Sequence, residues 1–211
     1  MNTVNNNAAI LGRINSLVAF FPGLSAQEKS DIQNVLLYAQ SFASQTYDFE
    51  RSWHSWMHYY RNRLEARGFQ LQSLVTGDSE IISSVDDLAR ATFRVHGASA
   101  SAQLADLVRR SVAAMGINRI VTAYFEGGID SGNLGSFQIV PCEKTPSGDL
   151  TVLLCGLHLS VDGYSAERRR LVFHFKGGSY RCDPGVYAAH RKSVSDYLRN
   201  NPEAYFKNIT L

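Results

Sequence analysis

The sequence predicts a single α+β domain: a mainly antiparallel sheet of about four to five strands covered by helices, in an α/β/α sandwich. Three observations lead there. Apolar residues recur at helical spacing through most of 8–115. After Gly116 the period changes to two, and short turn-rich links join the apolar runs. One of those runs, Asp149 to Val161, is apolar on both sides, so it belongs at the centre of a sheet with helices on both faces.

The helical half is expected over 8–115, and a β-meander plus a C-terminal helix over 117–205. Between Ala8 and Phe21 the residues Ile10, Leu11, Ile14, Leu17, Val18 and Phe21 fall on one face of a helix, ended by Pro22-Gly23. Ser25-Ala26-Gln27-Glu28 is a capping box that opens a second helix. Asp48 is placed to cap a third, which carries Phe49, Trp53, Trp56, Met57, Tyr60 and Leu64 and stops at Gly68. Phe69 to Thr76 reads as a strand. Ser84-Val85-Asp86-Asp87 opens a fourth helix, and Ala100 to Met115 forms a fifth. Ile120–Glu126, Ser136–Val140, Asp149–Val161 and Arg169–Lys176 read as strands. Asp183-Pro184 then starts the last helix, an N-cap followed by proline at the first helical position.

Composition narrows the function classes. Apolar residues make up 45% of the 211, enough for one sizeable core, and the formal net charge of +2 gives no global drive toward nucleic acid. Cys142, Cys155 and Cys182 are odd in number and widely spaced, which fits free thiols rather than disulfides or a zinc ribbon. Met1 to Asn7 is polar and uncharged, unlike a signal peptide. The expectation is synthesis in the cytoplasm, with any export by a non-classical route.

No segment carries a specific catalytic or cofactor motif, and no cofactor is expected. His54 and His58 share a helical face, but the glutamate of an H-E-x-x-H motif is absent, so no metal is expected there. Cys142 with His158 or His174 is a candidate nucleophile–base pair on adjacent strands. The glycine-rich stretch from Glu126 to Gly135 leads into a strand rather than a helix, so it reads as a hairpin loop. Arg168-Arg169-Arg170 reads as a solvated strand edge. A rim of Trp53, Trp56, Tyr59 and Tyr60 followed by Arg61, Arg63 and Arg67 suits a core face bordered by an interface.

The residues Trp53, Trp56 and Tyr60, then Gly68-Phe69 with Leu71-Gln72, then Gly135-Ser136-Phe137-Gln138-Ile139 downstream, resemble an uncharacterised bacterial α+β family. These are packing residues, so the resemblance implies a fold and transfers no site. The order of helices and strands is also similar to that of the Cyt-type cytolysins. The functional expectation is a non-enzymatic binding protein acting at a membrane surface or on a partner chain, a second copy in a homo-oligomer included. Its sharper form is a toxin-like or pore-forming component. The contact would be the apolar stripe of the N-terminal helix, with Ile10 and Ile14 on it. The alternative is a small hydrolase or transferase using Cys142 with His158 or His174.

Overall fold

The computed structural model describes residues 8–12, 14–76, 79–90, 110–127, 133–162, 169–201, 204–209 and 211. Its strands are β1 (Ala8–Leu11), β2 (Ser16–Phe20), β3 (Phe69–Thr76), β4 (Glu80–Ile82), β5 (Asn133–Lys144), β6 (Leu150–Val161), β7 (Leu171–Cys182) and β8 (Phe206–Ile209). Its helices are α1 (Ala26–Thr46), α2 (Trp53–Glu65), α3 (Val85–Arg90), α4 (Ile117–Phe125) and α5 (Pro184–Arg199).

The α+β class and the sandwich layering agree with the sequence reading, but the sheet is larger and mixed. It has eight strands in the order β3-β7-β6-β5-β2-β1-β8, with β4 pairing the same strand as β3, namely β7. The pairing of β2 with β5 is parallel. As expected, β6 is an interior strand, with every residue from Val152 to Leu157 buried. Its even residues Val152 and Leu154 join the core formed with Trp53, Trp56, Met57, Tyr60 and Leu64 of α2. Its odd residues Leu153, Cys155, Leu157 and Leu159 pack with Ile117, Val121 and Tyr124 of α4. Because Cβ atoms alternate across a strand, this one segment anchors both layers. Leu154→Ala is therefore expected to destabilise the domain by ~2–5 kcal/mol in a urea titration, since it empties a site with no exposure to solvent. A change under 1 kcal/mol would sink the two-faced assignment.

The N-terminal helix expected over 8–21 is not a helix. Those residues form β1 and β2, joined through Gly12 at φ 61, a left-handed value that favours glycine. The physical reason lies in burial. Ser16, Leu17, Val18, Ala19 and Phe20 are all buried, between β1 on one side and β5 on the other, which satisfy their backbone groups across the sheet. A short run that is covered on both sides suits a strand inside a sheet. Ile10 is half-buried on β1 opposite Leu17, and Ile14 packs against the main core.

Ile120–Glu126 is likewise helical rather than extended. Ile117, Val121 and Tyr124 are buried at offsets of four and three, the period of α4. The C-terminal β8 was not anticipated at all. The order of elements begins with two strands, so the cytolysin-like order of helices before strands does not hold.

Other local readings agree. Glu28 N–H donates to Ser25 Oγ at 3.2 Å, and Ser25 N–H donates to Glu28 Oε2 at 2.7 Å, closing the capping box of α1. Asp183 Oδ1 accepts from the backbone of Gly185 and Val186 at the start of α5. Asp48 instead caps the turn before α2, accepting from Glu50 and Arg51. Of the helix expected over Ala100–Met115, only residues 110–115 are described, with 110–114 helical; the rest lies outside the described residues. Most of the glycine-rich loop and Arg168 lie outside them too. Within one layer, α1 and α5 are tied by Arg191 on α5, which makes two hydrogen bonds to the Asp31 carboxylate on α1, at 3.0 and 2.7 Å.

Candidate functional site

The first turn of α2 places Trp53 and His54 over one end of the sheet. There β6 and β7 present His158 and His174 as direct cross-strand partners. Both histidines are at even positions, on the same face as Val152, Leu154 and Tyr180, which is the face that α2 covers. The Trp53 indole stacks on the His158 ring, centroids 5.6 Å apart at 23°. His158 and His174 lie 5.8 Å apart, and His54 lies 6.4 Å from His174. Lys176 follows His174 by one pleat on the same face, and Arg61 stands two turns along α2 from His54.

Hydroxyls fix two of the rings. Ser136 Oγ and His158 Nδ1 are 2.8 Å apart, as are Ser79 Oγ and His174 Nδ1. Each bond leaves Nε2 as the ring's outward nitrogen. Trp53 is buried, His158, His174, Lys176 and Arg61 are half-buried, and His54 is exposed. The cluster is therefore open to solvent at one side.

Its electrostatics all run in one direction. Burial lowers the pKa of His54, His158, His174 and Lys176, and in every case neighbouring cations lower it further. Lys176 acts on His54; His174 and His54 act on His158; His54 acts on His174; Arg61 acts on Lys176. A free histidine titrates near 6.5, so these rings rest neutral at pH 7. One buried donor at the cluster, Trp53 Nε1, has no hydrogen-bond partner among the described residues. Arg61 lies toward Tyr180, six residues along β7 from His174, where it draws that phenol's pKa down against the upward push of burial.

The Cys142–His pairing is ruled out by register. Cys142 stands opposite Val152, whereas His158 stands opposite Ser136. Six residues of strand, about 20 Å, separate the thiol from the imidazole. Cys142 is also fully buried, and burial pushes its thiol well above the usual range. All three cysteines are free and buried, as the sequence suggested.

His54 and His58 part company as well. His58 is exposed and bonded to Asn62 at 3.2 Å, while His54 faces the sheet histidines. Among the described residues no group of three His, Cys, Asp or Glu side chains stands at metal-holding spacing. Protein purified without a histidine tag is expected to carry no stoichiometric divalent metal. One equivalent of zinc by elemental analysis, lost in His54→Ala, would overturn that.

The aromatic–arginine rim largely closes on itself. Arg63 donates to Tyr59 at 2.6 Å and lies over the Phe42 ring, and Arg67 donates to Tyr38 at 2.7 Å. Arg169 is likewise engaged, donating to the Tyr124 carbonyl at 2.6 Å, so it does more than shield an edge. Sequence reasoning had both sheet histidines but assigned them to the wrong partner. The signal that pairs them with α2 is parity: His158, like Val152 and Leu154, occupies an even position of β6.

No family model matches the chain, and no curated protein matches it. Among solved structures it is similar to the Evf virulence factor, at 11% identity and a TM-score of 0.41, covering 94% of this chain and 81% of that one. A likeness of this size places no residue and assigns no activity. No helix among the described residues is long and apolar enough to cross a membrane.

Proposed function

We propose that this chain is a non-enzymatic binding protein whose ligand site is the histidine-lined patch under the first turn of α2. The observation that carries the reading is a buried donor without a partner among the described residues, Trp53 Nε1, beside three imidazoles and Lys176. Leaving a buried donor unpaired costs about 1–3 kcal/mol, which an acceptor from outside offsets. Non-enzymatic action is supported by the position of Cys142, three pleats from His158, and by Ser136, whose buried hydroxyl is engaged with His158 Nδ1. The acceptor group can belong to a free molecule, a membrane surface or a partner chain. The pore-forming form of the reading relied on an amphipathic helix able to leave the domain. Its residues are β1 and β2, inside the sheet, so that form has lost its support.

Thermal-shift measurements with small ligands of each charge class test the reading on the full chain and on Trp53→Phe and His174→Ala variants. At least one class should raise the melting temperature of the natural sequence and lose that effect in both variants. Equal stabilisation of all three proteins would put binding elsewhere, and chemical turnover of the ligand would make the protein an enzyme.

A second reading rests on the sheet edge. Leu71 and Leu74 on β3 and Ile81 on β4 are 41%, 43% and 58% exposed, on strands that pair on one side only among the described residues. An edge with apolar side chains suits pairing with a partner chain, including a second copy. Sedimentation of the natural protein beside Leu74→Lys tests it. Identical monomers at all concentrations would remove self-association.

A further inference from the structure

We propose that the patch formed by Trp53, His54, His158, His174 and Lys176 binds one tetrahedral oxyanion of the phosphate or sulfate type. The inference rests on the binding reading above and names its ligand class. It begins with the sign of the hydrogen-bonding groups. Lys176 and the indole of Trp53 can only donate. Trp53 Nε1 is buried without an acceptor among the described residues. His158 and His174 each have Nδ1 engaged by a serine hydroxyl, which leaves Nε2 for a ligand. A site that offers donors is complementary to a ligand that only accepts.

Charge points the same way and decides against a metal. A divalent cation would meet the positive charge of Lys176, which acts directly on His54, whereas an anion is matched by it. Shape favours a tetrahedral group over a carboxylate. The donors come from three elements, α2, β6 and β7, rather than from one planar guanidinium fork.

Binding should take up protons. The groups facing the histidines are Trp53 and His54 from α2, His158 from β6, His174 and Lys176 from β7, Ser136 from β5, and Ser79 just before β4; Arg61 of α2 acts on Lys176 from the far side. The carboxylate of Glu65 acts on Tyr180, farther along the strand. Among the described residues, none of the charged groups that act on the three rings is a carboxylate; each is another cation or imidazole. An arriving dianion reverses that repulsion and favours the imidazolium, so affinity rises as pH falls toward and below the ordinary histidine range.

Sulfate is the probe of choice because it stays fully ionised from pH 5.5 to 7.5, so any pH dependence belongs to the protein. Calorimetric titration should show sulfate binding at least about tenfold tighter at pH 5.5 than at 7.5, by linkage. His174→Gln should flatten that dependence. Lys176→Met should weaken binding at every pH and keep the slope. Melting curves of both variants confirm that they are folded, and neither side chain is fully buried. Vesicles containing phosphatidic acid, set against phosphatidylcholine alone, identify the source. Binding that both variants lose points to a lipid headgroup, and binding of free sulfate and phosphate alone points to a soluble phosphate compound. Sulfate affinity that ignores pH, or that survives both substitutions, overturns the proposal, as does one equivalent of zinc lost in His174→Gln. If another ligand class stabilises the protein through Trp53 and His174, this inference fails and the binding reading stands.

Discussion

Removal of residues 1–23 is expected to give an insoluble or unfolded chain, the largest effect of any change considered for this protein. Leu11, Leu17, Val18 and Phe20 on β1 and β2 are buried to within 3%. Each such side chain contributes about 1.5–3 kcal/mol, roughly 6–12 kcal/mol together. That rivals the roughly 5–15 kcal/mol by which a whole domain is stable. The loss goes beyond side chains. β2 pairs along β5 from Ser16 to Phe20, and β8 pairs with β1. The deletion would strip the edge of β5, release β8 and leave Gln138 without its 2.9 Å bond from Ser16. Soluble yield and far-ultraviolet circular dichroism of the truncated chain check the outcome. A folded, monomeric product would show that the sheet tolerates ending at β5.

The same segment shows where the sequence was legible and where it was not. Helices α2 and α5 announced themselves because each has a wet face, and α1 and α5 have side-chain caps that mark their starts. Ile10, Leu11, Ile14, Leu17, Val18 and Phe21 also fit a helix by offset alone. What decides for strands is that Ser16 and Ala19, which lie outside that stripe, are fully buried as well. Burial of small residues comes from neighbours distant in the chain, here β5, and a local period cannot express it. The parallel β2–β5 pairing is equally non-local, bridging more than a hundred residues. Even so, the centre of the sheet was readable. β6 is apolar at both parities, and a segment of that kind has one stable place. For the site, the histidines were visible but their geometry was not. The partner of His158 is set by cross-strand register and by where the first turn of α2 comes to rest.

Gly177→Ala is expected to be the most damaging single substitution in the sheet. Gly177 lies on β7 between Cys155 of β6 and Val75 of β3. A methyl group there would be driven into the main-chain carbonyl of Leu154. The obstacle is space between two paired backbones, and neither can yield without opening the ladder that joins β6 to β7. The expected loss therefore exceeds the ~1–3 kcal/mol of ordinary overpacking. At roughly 2–4 °C per kcal/mol for a chain of this size, the melting temperature should fall by about 10 °C or more. Gly156→Ala supplies the comparison. Its methyl would meet the Met57 ε-carbon at 2.8 Å and the Lys176 carbonyl at 3.0 Å. A methionine end can swing aside, so the loss there should be the smaller of the two. The difference also bears on the site, because His174 and Lys176 ride on the strand that Gly177→Ala displaces, directly before the substituted position. Equal melting temperatures for the two variants would mean that β6 and β7 separate at little cost. In that case the close pairing that sets His158 beside His174 would not be a rigid feature of the domain.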